Sequence, residues 1–328
     1  MPTRLVEPTL RASADASAWG VKAVGADVTP RTGAGVVVAV LDTGIDSAHP
    51  AFAGVDLVQR DFSGADNGDR NGHGTHCAGT IFGRDVEGKR IGIARGVTRA
   101  LIGKVLADDG SGSSDALFRG IQWSFNEGAK VLSMSIGFDF PGMVASLTAD
   151  GFPQELAFSI GLEAYRANLR MFDSLMALAR ARQLFDGGCV VIAASGNESD
   201  RARDPRFEIA ASLPACADGV IAVGALALAD GGLEVAPFSN TFPQIAAPGV
   251  RVLSAKAGGG LITMNGTSMA TPHVAGVAAL WWEEVRAVAA ISNAQAVTAK
   301  LLANARVDMF APGVDPADRG SGVVRAPI

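Results

Sequence analysis

The sequence is poor in the residues that staple small secreted folds. It holds only three cysteines, Cys77, Cys189 and Cys216, in 328 residues. That odd, scattered set excludes a disulfide framework. Residues 1–20 contain no apolar core of the kind a secretory signal carries. No stretch reaches about 18 uninterrupted apolar residues, so no spanning helix is expected. Charge of one sign is also missing: the net charge is −5 and no long run of either sign occurs. Such a surface offers no electrostatic footprint for nucleic acid or an anionic membrane. These absences lead to the expectation of a cytoplasmic protein. The alternative is a secreted one whose signal and pro-domain lie outside this chain.

What is present is a large apolar share, 48%, with 40 glycines. This is enough material for one core, and the glycines suggest tight turns and close backbone approaches. Short β-branched runs fall at Val36–Leu41, Ala100–Leu106, Val131–Ile136, Cys189–Ala194 and Val220–Val223. Helical patterns lie between them, at about 115–128, 155–185 and 268–286. Strands alternating with helices predict an α/β fold, a doubly wound, mostly parallel sheet with helices on both faces. Val250–Lys256 and Leu261–Met264, joined through Gly258–Gly260, read as an antiparallel hairpin. Residues 1–17 read as an N-terminal arm, and 18–328 as one domain with an insertion at about 138–165.

Three segments carry chemistry. Val38–Asp42 runs into Thr43-Gly44-Ile45-Asp46, placing a carboxylate at the end of a buried strand. By itself Asp42 reads more simply as a turn cap before Gly44. Asn71-Gly-His73-Gly-Thr-His76 sets a histidine between glycines. His73 and His76 also stand at a spacing that suits a metal pair, although zinc needs further firm ligands. Asn265-Gly-Thr-Ser268-Met-Ala-Thr-Pro-His273 leads a serine into an apolar helix, whose N-terminus favours developing negative charge. By itself the segment reads more simply as an N-cap at Thr267 or Ser268.

Together the three segments resemble the subtilisin-like serine proteases, from about Trp19 to Val285. The order Asp42, His73, Ser268 and the motifs LDTGID, NGHGTH and NGTSMATPHVAG carry that resemblance. It implies a serine endopeptidase in which Ser268 is the nucleophile, His73 its base and Asp42 the partner of His73. It implies that Asn197, in Ala193-Ala-Ser-Gly-Asn197, supplies the oxyanion hole. It also implies two edges that flank an extended polypeptide substrate, Gly110-Ser111-Gly112 and Ser135-Ile136-Gly137. It implies that Ala194-Ser195-Gly196 lines the first specificity pocket, with Glu198 at its rim. No cofactor is needed for such chemistry.

A structural calcium is expected, if anywhere, at Asp61, Asp66 and Asp69, since hard oxygens in a short loop suit that ion. The secreted relatives' own site is disfavoured: Ala51 stands where an Asp ligand is common, and 84–90 carries three bases against two acids. The missing long pro-domain suggests an intracellular relative, whose short arm lies across the cleft and inhibits. Two other functions stand beside the endopeptidase. One is a processing or macrocyclising enzyme acting on one precursor, and the other a silent peptide-binding module.

In the insertion, Phe138, Phe140, Pro141, Met143 and Val144 form an apolar loop. Phe158, Leu162, Tyr165, Leu169, Phe172 and Met176 then repeat at helical spacing. Either the two build a satellite core, or they form a lid beside the cleft. Cys77, four residues after His73, is expected on the same helix face and not as a nucleophile.

Overall fold

The computed structural model describes residues 1–5, 18–288 and 292–328. In chain order the first elements are β1 (Pro2–Arg4), α1 (Trp19–Ala23), β2 (Val38–Asp42), β3 (Asp56–Asp61), α2 (His73–Phe82), β4 (Arg99–Lys104) and β5 (Ser111–Ser113). There follow α3 (Ser114–Asn126), β6 (Val131–Met134), β7 (Gly137–Phe138), α4 (Phe140–Ala149), α5 (Gln154–Asp186), β8 (Val190–Ala194) and β9 (Val220–Ala229). The last are β10 (Gly232–Val235), β11 (Ile245–Pro248), β12 (Val252–Ala255), β13 (Leu261–Met264), α6 (Thr267–Val288), α7 (Ala294–Ala303) and α8 (Pro316–Arg319). Of the arm read at 1–17, residues 6–17 lie outside the described residues.

The main sheet runs β10-β9-β8-β6-β2-β4-β3, and β11 also pairs with β9. Its pairs are parallel except β10 with β9. Alternation of side chains along each strand divides the core in two. Val38 and Val40 of β2, with Val190 and Ile192 of β8, pack on the face covered by α2 and α6. Ala39 and Leu41, with Val191 and Ala193, pack on the face covered by α3 and α5. Both faces are apolar, so the central strands read as continuous hydrophobic runs. The sheet is therefore doubly wound, as the alternation of runs predicts.

α6 passes through the first core and is buried over most of its length. Gly276 lets it approach the segment after α2 closely: a Cβ there would lie 2.5 Å from Ile93. β12 and β13 form the expected antiparallel hairpin, with Val252 opposite Met264.

Three elements depart from the sequence reading. β3 joins the sheet edge although its burial is mixed, because it pairs only with β4. The segment after Phe138 is helix α4, not a loop. Asp139 accepts a hydrogen bond from Gly142 N at 2.9 Å, and Pro141 sits in the first turn. Capping and a proline at the first turn are helix-start signals. Finally, β1 enters a separate three-stranded sheet, β5-β1-β7.

Candidate active site

The C-terminal end of β2 delivers Asp42 into the interior, and α2 begins with His73 beside it. Asp42 is fully buried. Its Oδ1 lies 2.7 Å from His73 Nδ1 and accepts Thr43 N at 2.8 Å. A carboxylate oxygen accepts, so Nδ1 carries the proton and Nε2 is left as the base.

The loops that hold this pair are tied by Asp69. Its carboxylate accepts from Thr43 Oγ1 at 2.9 Å, Gly72 N at 2.8 Å, Thr75 N at 2.8 Å and Thr75 Oγ1 at 2.6 Å. Thr43 Oγ1 in turn accepts Gly74 N at 2.9 Å. One carboxylate thus fixes the exit of β2 against the entry of α2. Gly74 permits the approach: a Cβ there would lie 2.2 Å from Gly44 O.

Ser268 is the second residue of α6 and is 6% exposed. Its Oγ lies 3.5 Å from Ser135 O, a long contact for a hydroxyl donor, so the hydroxyl is not committed there. Asn197 accepts Thr267 N at 2.8 Å and Thr267 Oγ1 at 2.9 Å through Oδ1. That fixes which way the amide faces. The point where a Gly266 Cβ would stand is 3.5 Å from both Asn197 Nδ2 and Ser268 N. Two N–H donors therefore converge on a space that the glycine leaves open, the arrangement an oxyanion hole needs.

Burial alone would lower the His73 pKa. The charge of Asp42 and the hydrogen bond to it outweigh that and hold it well above the usual imidazole value. Cys77 lies beneath, its Sγ 3.9 Å from His73 Nδ1 and 3.4 Å from Ser268 O. Burial raises its pKa, so it is a thiol and not an attacking thiolate. Asp42, His73 and Cys77 form the only group of possible metal ligands gathered within 4.8 Å among the described residues.

The metal-pair reading of His73 and His76 fails on direction. His76 Nε2 lies 3.0 Å from Val252 O and so carries a hydrogen, and among the described residues His76 does not join His73 in a group of three possible ligands. Burial depresses its pKa to about 3. His273 is likewise buried, with a pKa of about 4.

The two expected edges flank a strand. Arg4 of β1 lies opposite Ser111 and Gly137, and Thr3 opposite Gly112 and Phe138, antiparallel on both sides. Leu5 N donates to Gly110 O at 3.1 Å. β1 thus lies between Gly110-Ser111-Gly112 and Gly137. Ser135 Oγ donates to Ser268 O at 3.0 Å, and Ile136, next to Gly137 on the same edge, is buried.

Ala194, Ser195 and Gly196 leave the end of β8 and are held by Asn240, which sequence reasoning did not find. Asn240 Nδ2 donates to Ser195 O at 3.2 Å and to Glu198 Oε2 at 2.7 Å, and Asn240 Oδ1 accepts Glu198 N at 3.1 Å. Glu198 is therefore an oriented carboxylate rather than a solvated loop charge. The signal in the sequence is faint: an asparagine in Ser239-Asn240-Thr241, distant along the chain.

Asp61, Asp66 and Asp69 do not fit a calcium ion. Asp61 accepts from Ser63 N, Ser63 Oγ, Gly64 N and Asp66 N at 2.7–3.1 Å. These bonds hold its carboxyl below the usual range in spite of burial. Asp69 is engaged with Thr43, Gly72 and Thr75. N–H and O–H donors fill the places a cation would need, and the three carboxylates do not gather.

The chain matches the subtilase family model over residues 33–322. It is 35% identical over 254 residues to an intracellular serine protease of Paenibacillus polymyxa, covering 76% of this chain and 67% of that one. It is 34% identical over 250 residues to subtilisin DY of Bacillus licheniformis, covering 76% and 77%. Against subtilisin-like protease 6 of Trichophyton rubrum the identity is 32% over 271 residues, 80% of this chain but 57% of the relative. The matched segment thus spans between about half and three quarters of these relatives' length. With Asp42 and His73 paired, Ser268 heading α6 and two donors converging beside it, the chain belongs to the subtilase family.

Proposed function

We propose that the chain is a serine endopeptidase that cleaves extended polypeptides and is restrained by its own N-terminal arm. The observation that carries the chemistry is the buried Asp42–His73 pair, 2.7 Å apart, with Nε2 left free as a base. Ser268 Oγ attacks the peptide carbonyl while His73 takes its proton. Asp42 holds the tautomer and stabilises the imidazolium. Asn197 Nδ2 and Ser268 N stabilise the tetrahedral oxyanion. His73 then protonates the leaving amine, and water resolves the acyl-enzyme. An amine in place of water gives the macrocyclising alternative, but no feature of the site favours it.

The arm supports the restraint, since β1 fills the groove that an extended substrate needs. The name of the Paenibacillus relative supports an intracellular setting, as do three cysteines that form no disulfide. No described helix is long and apolar enough to cross a membrane.

A fluorophosphonate probe should label Ser268, and Ser268→Ala should abolish both labelling and peptide cleavage. Asn197→Ala should lower kcat by roughly 10²–10³ with labelling slowed. A chain beginning near Ala18 should cleave small peptides faster. Absence of labelling sinks the peptidase reading, whereas unchanged kinetics after truncation sinks only the restraint.

A further inference from the structure

The arm makes an ion pair that a substrate can make in its place. β1 runs antiparallel to β7, with Thr3 opposite Phe138 and Arg4 opposite Gly137. Each step forward on such a strand is a step back on β7. A polypeptide bound in this register therefore faces Ser135 two residues beyond the residue that faces Gly137. Ser268 Oγ lies against Ser135 O, so the residue facing Ser135 is the one presented to the nucleophile. The place taken by Arg4 is that of the third residue before the scissile bond.

At that place Arg4 Nε lies 2.9 Å from Asp139 Oδ2, with the aspartate side chain only 11% exposed. The carboxylate is held from behind, because its Oδ1 accepts Gly142 N and caps α4. Gly142 keeps the space: a Cβ there would lie 1.8 Å from Asp139 Oδ2. One oxygen is thus spent on the helix and the other faces the cleft, already oriented.

We infer that Asp139 selects a basic side chain at the third residue before the scissile bond. This rests on the peptidase reading above. A half-exposed ion pair adds little to stability. Selectivity needs only a difference between substrates, and a fixed, shielded carboxylate supplies one without reordering. A basic residue restores the pair when the arm leaves. A neutral residue leaves the carboxylate without a cation, and an acidic one is repelled.

The test uses the full chain and internally quenched peptides that differ only at that position, carrying Arg, Lys, Ala or Glu. The arm competes with each peptide by the same factor, so ratios of kcat/KM are independent of its release. Arg should be preferred over Ala by roughly three- to tenfold and over Glu by more, with the preference shrinking at high salt. Asp139→Asn keeps an acceptor for Gly142 N and removes the charge. Its Arg/Ala ratio should fall close to one.

Equal ratios in the wild type, or an Arg preference that survives Asp139→Asn, overturn the inference. Fluorophosphonate labelling of Ser268 separates the two levels. A labelled enzyme with a flat profile defeats this inference alone, whereas an unlabelled, inactive one defeats the peptidase reading and this with it.

Discussion

The junction of β2 with α2 and the pair α4–α5 flank one cleft, yet different forces hold them. At the junction, Asp69 gathers donors from Thr43, Gly72 and Thr75, and Gly44 and Gly74 press backbone to backbone. On the other side, Phe140 packs on Phe158 and Tyr165 at ring-centroid distances of 6.4 and 6.2 Å, while Asp139 caps α4. Leu156, Phe158 and Leu162 remain about half exposed. Buried polar networks tolerate little change because each orphaned donor is costly. Contacts between two half-exposed helices give more freely. The catalytic pair is thus anchored where geometry must not drift, and the cleft wall is built where adjustment is tolerable.

The largest expected effect comes from breaking the anchored side. Asp69→Ala removes the acceptor of four buried hydrogen bonds. Leaving such donors unsatisfied should cost about 3 kcal/mol or more, visible as a lower urea midpoint. Activity at temperatures where the variant stays folded should also drop, because His73 loses its reference to Asp42. A variant with unchanged stability and kcat would show that Asp69 is incidental and that the contrast between the two sides is false.

A smaller effect separates the two functions of the Asp42–His73 pair by pH. The folded pKa of His73 is raised above 6.5. A protonated His73 cannot accept the Ser268 proton, so kcat/KM should fall about tenfold per unit of pH below that raised value. Stability runs the other way. A raised folded pKa gives a contribution fully present below the unfolded value near 6.5 and lost as pH rises through the folded one. Between those two values, activity should rise while this share of stability fades. His73→Ala should flatten the stability trend in that window. An activity midpoint at or below 6.5 would contradict the pairing.

Much of this was legible because burial writes itself into sequence. β2 and β8 lie in the middle of a parallel sheet, so both of their faces must be apolar, and their runs are plain. Asp42, His73 and Ser268 stand in long motifs at the ends of such runs. Asp69 and Asn240 were not legible, because their partners are mostly backbone and hydroxyl groups that any sequence supplies. Asp69 even read as a calcium ligand, since an acidic cluster looks alike whether it faces a cation or N–H donors. The sequence points to an arm across the cleft but not to the strand β1, because its pairing is wholly non-local. α4 reads as a loop in sequence because Pro and Gly together suggest a turn, although Asp139, with Pro141 soon after, spells a helix start.

The smallest expected effect, and the one that sharpens the contrast most, concerns α4. Its apolar side meets α5 through Phe140 and Val144, which lie against Gly161, Phe158 and Tyr165. The two helices pack on each other there, and Tyr165 joins that contact to the core that holds Phe172 and Met176. Replacing about 143–152 by a short Gly-Ser bridge keeps Asp139, its donor Gly142 N and the edge β7. The cost should be no more than about 2 kcal/mol, since the buried residue lost is Val144 alone. Small chromogenic peptides occupy only the groove, so their cleavage should change less than about twofold. Folded or bulky protein substrates must pass the wall that α4 adds beside β7, and their cleavage should rise several-fold. Equal acceleration of both substrates would mean that α4 acts through the groove itself. Acceleration of neither would leave α4 as a structural cover, with the two sides of the cleft differing in how they are held but not in what they admit.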